Sequence, residues 1–153
     1  MANILFTSYP KLKKALSNSC YLGPYLPLAF TGSRTWKDKS LVSSIVLTAN
    51  KEAKKGNKSL VLLHGGCETG LDKIVANLCE AHGIFNIVVP APWKMGLSAG
   101  PKRNALLLQT AFELGTKYLL AFPEPHSKGT INCMNLGNSM GFRVIDFGST
   151  EPE

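Results

Sequence analysis

Short blocks of consecutive apolar residues alternate with longer stretches in which apolar positions return every three or four residues. Leu28-Ala29-Phe30, Leu60–Leu63 and Tyr118–Phe122 are such blocks, as are Phe85–Val89 and Arg143–Phe147 apart from Asn86, Arg143 and Asp146. Each is bounded by glycine, proline or polar residues, and each reads as a strand. Between them lie helical periods. Leu41, Val42, Ile45, Val46 and Ala49 follow a capping Asp38 or Ser40 and stop at Gly56, while Leu71, Ile74, Val75, Leu78 and Cys79 end at Gly83. Pro101 at the first helical position opens a helix to about Leu114, closed by Gly115, and Thr130 caps one that ends near Gly141. Strands and helices in alternation with short connections predict a mostly parallel sheet covered by helices on both faces. Ligands of such sheets sit beyond the carboxyl ends of the strands, where the winding reverses.

Residues 1–25 stand outside this rhythm. Asn3–Phe6 reads as a short strand and Lys11–Leu16 as a short helix, with Pro10, Gly23, Pro24 and Pro27 breaking up the segment. The division is an extension over 1–25, packed on the domain edge, and one domain over 26–150.

Composition narrows the class. The chain has 153 residues, 44% hydrophobic and 18% charged, which suits one folded domain and excludes a disordered one. No apolar run is long enough to span a bilayer. Met1–Thr7 carries neither a charged leader nor a long apolar stretch, so a cytoplasmic protein with no membrane attachment is expected. Cys20, Cys67, Cys79 and Cys133 share no paired spacing. Reduced thiols are expected, with no metal site and no cofactor. The net charge is +7. Much of the excess lies in Lys11, Lys13 and Lys14 and in Lys51, Lys54, Lys55 and Lys58, where lysines oppose a helix dipole and solvate a surface, or attract an anionic partner.

Four loops at the carboxyl edge carry the candidate chemistry. Thr31-Gly32-Ser33-Arg34 joins a glycine that permits close approach to a hydroxyl and a permanent cation suited to phosphate. His64-Gly65-Gly66-Cys67-Glu68-Thr69-Gly70-Leu71-Asp72 runs from a strand into a helix; Gly65 and Gly66 can take positive φ and present amides, and Thr69 can cap the helix. Asp72 either complements the helix dipole or accepts from ribose hydroxyls. His64 is either satisfied by backbone or touches ligand, and Cys67 is either a small residue in a tight turn or a thiol nucleophile. In the third loop, Lys102 and Arg103 fall in a first helical turn. Cations there oppose the dipole, and holding an anion would offset that cost. Asn104 adds an amide able to read ribose or base. The fourth loop, Phe122–Thr130, sets Lys128 beside Gly129-Thr130 at a helix start, again suited to phosphate; His126 is either a polar contact or an exposed loop residue. No Walker A, G-x-G-x-x-G, H-E-x-x-H or G-x-S-x-G pattern occurs, which removes the common ATPase, dehydrogenase, zinc-protease and serine-hydrolase readings.

In order and spacing, Thr31–Arg34, His64–Asp72, Ala99-Gly-Pro-Lys-Arg-Asn104 and Phe122-Pro…Lys-Gly-Thr130 resemble the SLOG superfamily, and most closely its YspA-type branch, over about residues 28–147. The superfamily includes the LONELY GUY phosphoribohydrolases, the single-strand DNA binder DprA, and nucleotide sensors. The resemblance implies a Rossmann-like three-layer α/β sandwich, a nucleotide-like small-molecule ligand and a homo-oligomer. It implies ligand contacts from Gly32, Ser33, Arg34, His64, Gly65, Gly66, Thr69, Asp72, Arg103, Asn104, Lys128, Gly129 and Thr130. The LONELY GUY pattern P-G-G-x-G-T-x-x-E is altered here. Glu124 and Pro125 replace its first glycines, or an insertion displaces them, and Cys133 stands in the place of its glutamate. Cleavage of an N-glycosidic bond would use Arg103 with an acid from Glu68, Asp72 or Glu124. Binding, sequestering or sensing a nucleotide-derived signal is the leading expectation, with hydrolysis of nucleoside monophosphates second. Binding of single-stranded nucleic acid, suggested by the charge, ranks last because no aromatic pairs flank the basic clusters.

Overall fold

The computed structural model describes residues 3–5, 24–91, 96 and 99–148. The elements run β1 (Asn3–Leu5), β2 (Tyr25–Gly32), α1 (Lys39–Lys55), β3 (Ser59–His64), α2 (Leu71–His82), β4 (Phe85–Val88), α3 (Ala99–Glu113), β5 (Tyr118–Phe122), α4 (Lys128–Ser139) and β6 (Arg143–Asp146). All strand pairs are parallel, and the sheet order is β1-β4-β3-β2-β5-β6. Asn3–Leu5 pairs with Asn86–Val88 and so extends the same sheet at one edge. The expected helix over Lys11–Leu16 lies outside the described residues.

Alternation along the strands builds two cores. Leu28 and Phe30 of β2, Leu60 and Leu62 of β3, and Leu120 and Phe122 of β5 pack against Val42, Val46 and Ala53 of α1 and Leu71, Ile74, Val75 and Cys79 of α2. Their neighbours Ala29, Val61, Leu63 and Leu119 face the other way, onto Leu107, Leu108 and Ala111 of α3 and Cys133 of α4. Strands buried on both sides need apolar residues at every position, which is why each reads as a continuous run rather than an alternating one. The Rossmann-like three-layer sandwich follows from this arrangement.

Winding starts at β2, proceeds outward through β3 and β4, and then returns to β5 on the other side of β2. The reversal therefore lies between β2 and β5, and their carboxyl ends open the crevice that such a reversal creates. The ends are tied together there: the Ser33 amide donates to Phe122 O at 3.0 Å. Phe122 stacks between Phe30 and Phe147, with Trp36 edge-on, and this forms a rigid apolar base beneath the crevice.

Several element ends differ from the sequence expectation. β2 begins at Tyr25 instead of Leu28, because Tyr25–Ala29 align with Ser59–Leu63 and that ladder extends the strand past Pro27. β4 and β6 end one residue early, at Val88 and Asp146. α3 starts at Ala99, so Pro101 is its third residue; a proline is accommodated throughout a first turn, where amides lack intrahelical acceptors. Lys102 and Arg103 consequently lie at the end of the first turn and beyond, where opposition to the dipole is weaker. Thr130 is the third residue of α4, which Ser127 precedes as cap, and Gly70 instead of Thr69 precedes α2. Asp38 does cap α1, its Oδ1 accepting from the Leu41 amide at 3.0 Å.

Candidate functional site

A cavity of about 690 Å³ occupies the crevice, within the range of small-ligand sites. Its walls come from all four expected loops, including the first turns of α3 and α4 and the β2 end. Of the residues expected to bind ligand, Gly32, Ser33, Arg34, Gly65, Asp72, Arg103, Asn104, Lys128, Gly129 and Thr130 line it. His64, Gly66, Thr69 and the candidate acid Glu68 do not line it.

The central loop differs most from expectation. The Gly66 amide donates to His64 Nδ1 at 3.0 Å, and the Cys67 amide donates to Asp72 Oδ2 at 3.2 Å. These N–H groups are engaged inside the loop, so they are not a cradle of free donors. Only Gly66 of the pair takes positive φ, 75°. His64 is fully buried. Because its Nδ1 accepts, its Nε2 carries the proton and donates to Asn86 Oδ1 at 2.6 Å. Burial holds its pKa below the ordinary value, with Asp72 pulling in the opposite sense. His64 thus shapes the turn from beneath. Thr69 likewise supports a neighbour, its hydroxyl donating to Arg34 O at 2.9 Å. Gly70, at φ 74° and ψ −146°, brings that backbone so close that a Cβ would strike Ser33 O.

Arg103 replaces the missing amides. It reaches from α3 across to the loop, where Nη1 donates to Gly65 O at 2.9 Å and Nε donates to Asn104 Oδ1 at 3.1 Å. Asn104 is buried, and its Nδ2 donates to Gly129 O and to Asn132 Oδ1, each at 3.1 Å. Both amide hydrogens are therefore engaged, and the side chain couples Arg103 to the start of α4 instead of offering a free amide to a base. At that start, the Lys128 amide bonds back to His126 O and the Ile131 amide to Ser127 O. Gly129 and Thr130 between them contribute first-turn N–H groups that have no intrahelical acceptor, on the positive end of a 12-residue helix.

The lining carries three basic side chains, Arg34, Arg103 and Lys128, against one carboxylate, Asp72, among the described residues. That imbalance, inside a walled space, favours an anion. Among the described residues the thiols offer little nucleophilic chemistry. Burial and then Asp72 raise Cys67, and burial pushes Cys133 up to about 11. Cys133 is fully buried in the α4 core. Among the described residues no group of three or more His, Cys, Asp or Glu side chains is placed to hold a metal, and no helix is long and apolar enough to cross a membrane. The lysines at the end of α1 lie at the opposite edge of the sheet, away from the cavity.

Asn132, Ser127 and Thr35, which no motif in the sequence marks, also line the cavity, and His126 lies there with them. Asn132 occupies the α4 face that Asn104 meets, a pairing between helices that no local spacing announces. Thr35 and His126 belong to a polar cluster between two loops. Thr35 and Ser33 both donate to Glu124 Oε1, and His126 Nε2 lies 3.9 Å from the same oxygen.

Comparison with known proteins agrees with this architecture. Residues 26–96 match the YspA, cpYpsA-related SLOG family. The Gene 61 protein of Mycobacterium phage D29 is 32% identical over 124 residues, spanning 77% of this chain and 93% of that protein.

Proposed function

The chain belongs to the SLOG superfamily, and from that premise we propose that it binds a nucleotide or nucleotide-derived signal in the cavity between β2 and β5. The observation that carries this reading is the lining itself, in which Arg34, Arg103 and Lys128 face one carboxylate beside the open first-turn amides of α4. Phosphate groups sit against Arg103 and the Gly129 and Thr130 amides, since a helix start and a fixed guanidinium suit an oxyanion together. Asp72 accepts from ribose hydroxyls; Oδ2 already takes the Cys67 amide, and the carboxylate retains acceptor capacity. Isothermal titration of the whole chain against mono-, di- and cyclic nucleotides and ADP-ribose tests the reading. Micromolar binding to at least one class, lost in Arg103→Ala, is expected. Absence of heat at millimolar ligand throughout the panel overturns it.

One observation favours hydrolysis as a second reading: Asp72 and Arg103 line the same cavity, so an acid and a cation are both available to a bound nucleoside monophosphate. Release of free base and ribose phosphate, absent in Asp72→Asn, separates this from binding alone. Recovery of intact nucleotide after prolonged incubation leaves binding as the activity.

A further inference from the structure

We propose that Glu124 is a positioning residue that fastens the β2–α1 loop, and Arg34 with it, to the β5–α4 loop at the mouth of the cavity. Its Oε1 accepts from Ser33 Oγ at 2.5 Å and also from Thr35 Oγ1. Its backbone amide donates to Ser127 Oγ at 3.0 Å, so one residue grips both loops. Arg34 sits between the two residues so held. The rest of the loop closes on the same point: the Thr35 amide donates to Ser33 Oγ at 3.1 Å and the Trp36 amide to Ser33 O at 3.3 Å.

Hydrogen bonds to an ionised carboxylate are about twice as strong as neutral ones, which suits a loop with few apolar anchors of its own. The surroundings keep the carboxylate charged. The Ser33 and Thr35 hydroxyls, then His126 and Lys37, hold it below its ordinary value. Each hydroxyl has a single hydrogen, and both point to Glu124. Ser33 and Thr35 line the cavity, yet their donor capacity goes to the fastening instead of to a ligand. Glu124 itself is not among the lining residues, which separates this role from the acid role that cleavage would require.

The effect on affinity rests on the nucleotide-binding reading, whereas the effect on the loop does not. Hydrogen exchange of the whole chain without nucleotide, in wild type, Glu124→Ala and Glu124→Gln, reads the loop directly. We expect exchange of the amides at positions 34–36 to rise by about tenfold or more in Glu124→Ala. Glu124→Gln, which keeps an acceptor but loses the charge, should fall between, with β3 and α2 unchanged in both. In parallel, affinity for ADP should drop by about tenfold in Glu124→Ala, recover partly in Glu124→Gln, and drop no further when Thr35→Val is added to Glu124→Ala. Unaltered loop exchange in Glu124→Ala overturns the proposal, as does a loosened loop with unchanged ADP affinity. A wild-type protein that binds none of the nucleotides sinks the functional reading, and the exchange measurement still decides whether Glu124 fastens the loop.

Discussion

Arg103 Nη1 donates to the carbonyl of Gly65 at 2.9 Å, and a Cβ at position 65 would collide with that same nitrogen. The glycine is therefore required for a guanidinium to lie flat against the backbone, not for backbone freedom, since its φ is not positive. Gly65→Ala should displace Arg103, the end of a flexible side chain, while leaving the strand beneath intact. We expect nucleotide affinity to fall about as far as in Arg103→Ala, with a stability loss of about 1 kcal/mol or less. Titration and thermal unfolding of the two variants side by side check this. A Gly65→Ala protein that binds like wild type would show that the contact is incidental.

Asn104 should contribute to both stability and binding. Removing it leaves Arg103 Nε and the Gly129 carbonyl without their partner in a partly buried setting, a cost of about 0.5–1.5 kcal/mol. For a chain of this size that corresponds to a fall in melting temperature of roughly 2–4 °C per kcal/mol. Asn104→Ala should therefore melt several degrees lower and lose affinity. Asn104→Asp should bind an anion more weakly still, because it brings a negative charge to the start of α4 facing the ligand.

His64 predicts a pH dependence of stability. Its folded-state pKa lies below the ordinary 6.5, chiefly because of burial. Below 6.5 the unfolded chain takes a proton that the folded one refuses, so stability falls as the pH drops from there and is insensitive to this group above it. In His64→Gln this contribution disappears. The difference in urea midpoint between wild type and variant should narrow from pH 7.5 to pH 5.5, and a constant difference would contradict the assignment.

The thiols should react in a fixed order. Cys79 and Cys133 are buried, with pKa values near 12 and 11, whereas Cys67 is half-buried on the cavity wall. Iodoacetamide at pH 8 should modify Cys67 ahead of the other two, as read by peptide mass spectrometry, and a bound nucleotide should slow that reaction. Equal labelling of Cys67 and Cys133 would mean that the α4 core opens readily.

The layers of the fold are legible because the central strands are largely apolar and each helix is apolar on one face. Leu60–Leu63 and the Leu71, Ile74, Val75 series leave little choice of element. The convergence of loops on one crevice followed from the topology. The roles inside it did not. That His64 is held by Asn86 with its Nδ1 turned to the Gly66 amide, and that Asn104 faces Gly129 and Asn132, depends on residues brought together from distant parts of the chain, which adjacent spacing does not encode. The same holds at Glu124. In sequence it reads as an acid for catalysis because it stands in an altered motif, but its partners come from a loop far away in the chain. The starts of α3 and α4 lie ahead of Pro101 and Thr130 because a proline or a threonine suits several positions of a first turn equally well.

The place of β2 in the sheet order bears on how the chain comes together. It is flanked by β3, made soon after it, and by β5, where Ala29 meets Leu119 from the far half of the chain. A growing polypeptide must therefore keep one side of its central strand bare until the last third has been synthesised, and an apolar, unpaired margin of that kind invites pairing with the wrong neighbour. A shortened version that stops after β4 would carry that exposure permanently, so the cover on this side of the central strand is one that only the later strands confer.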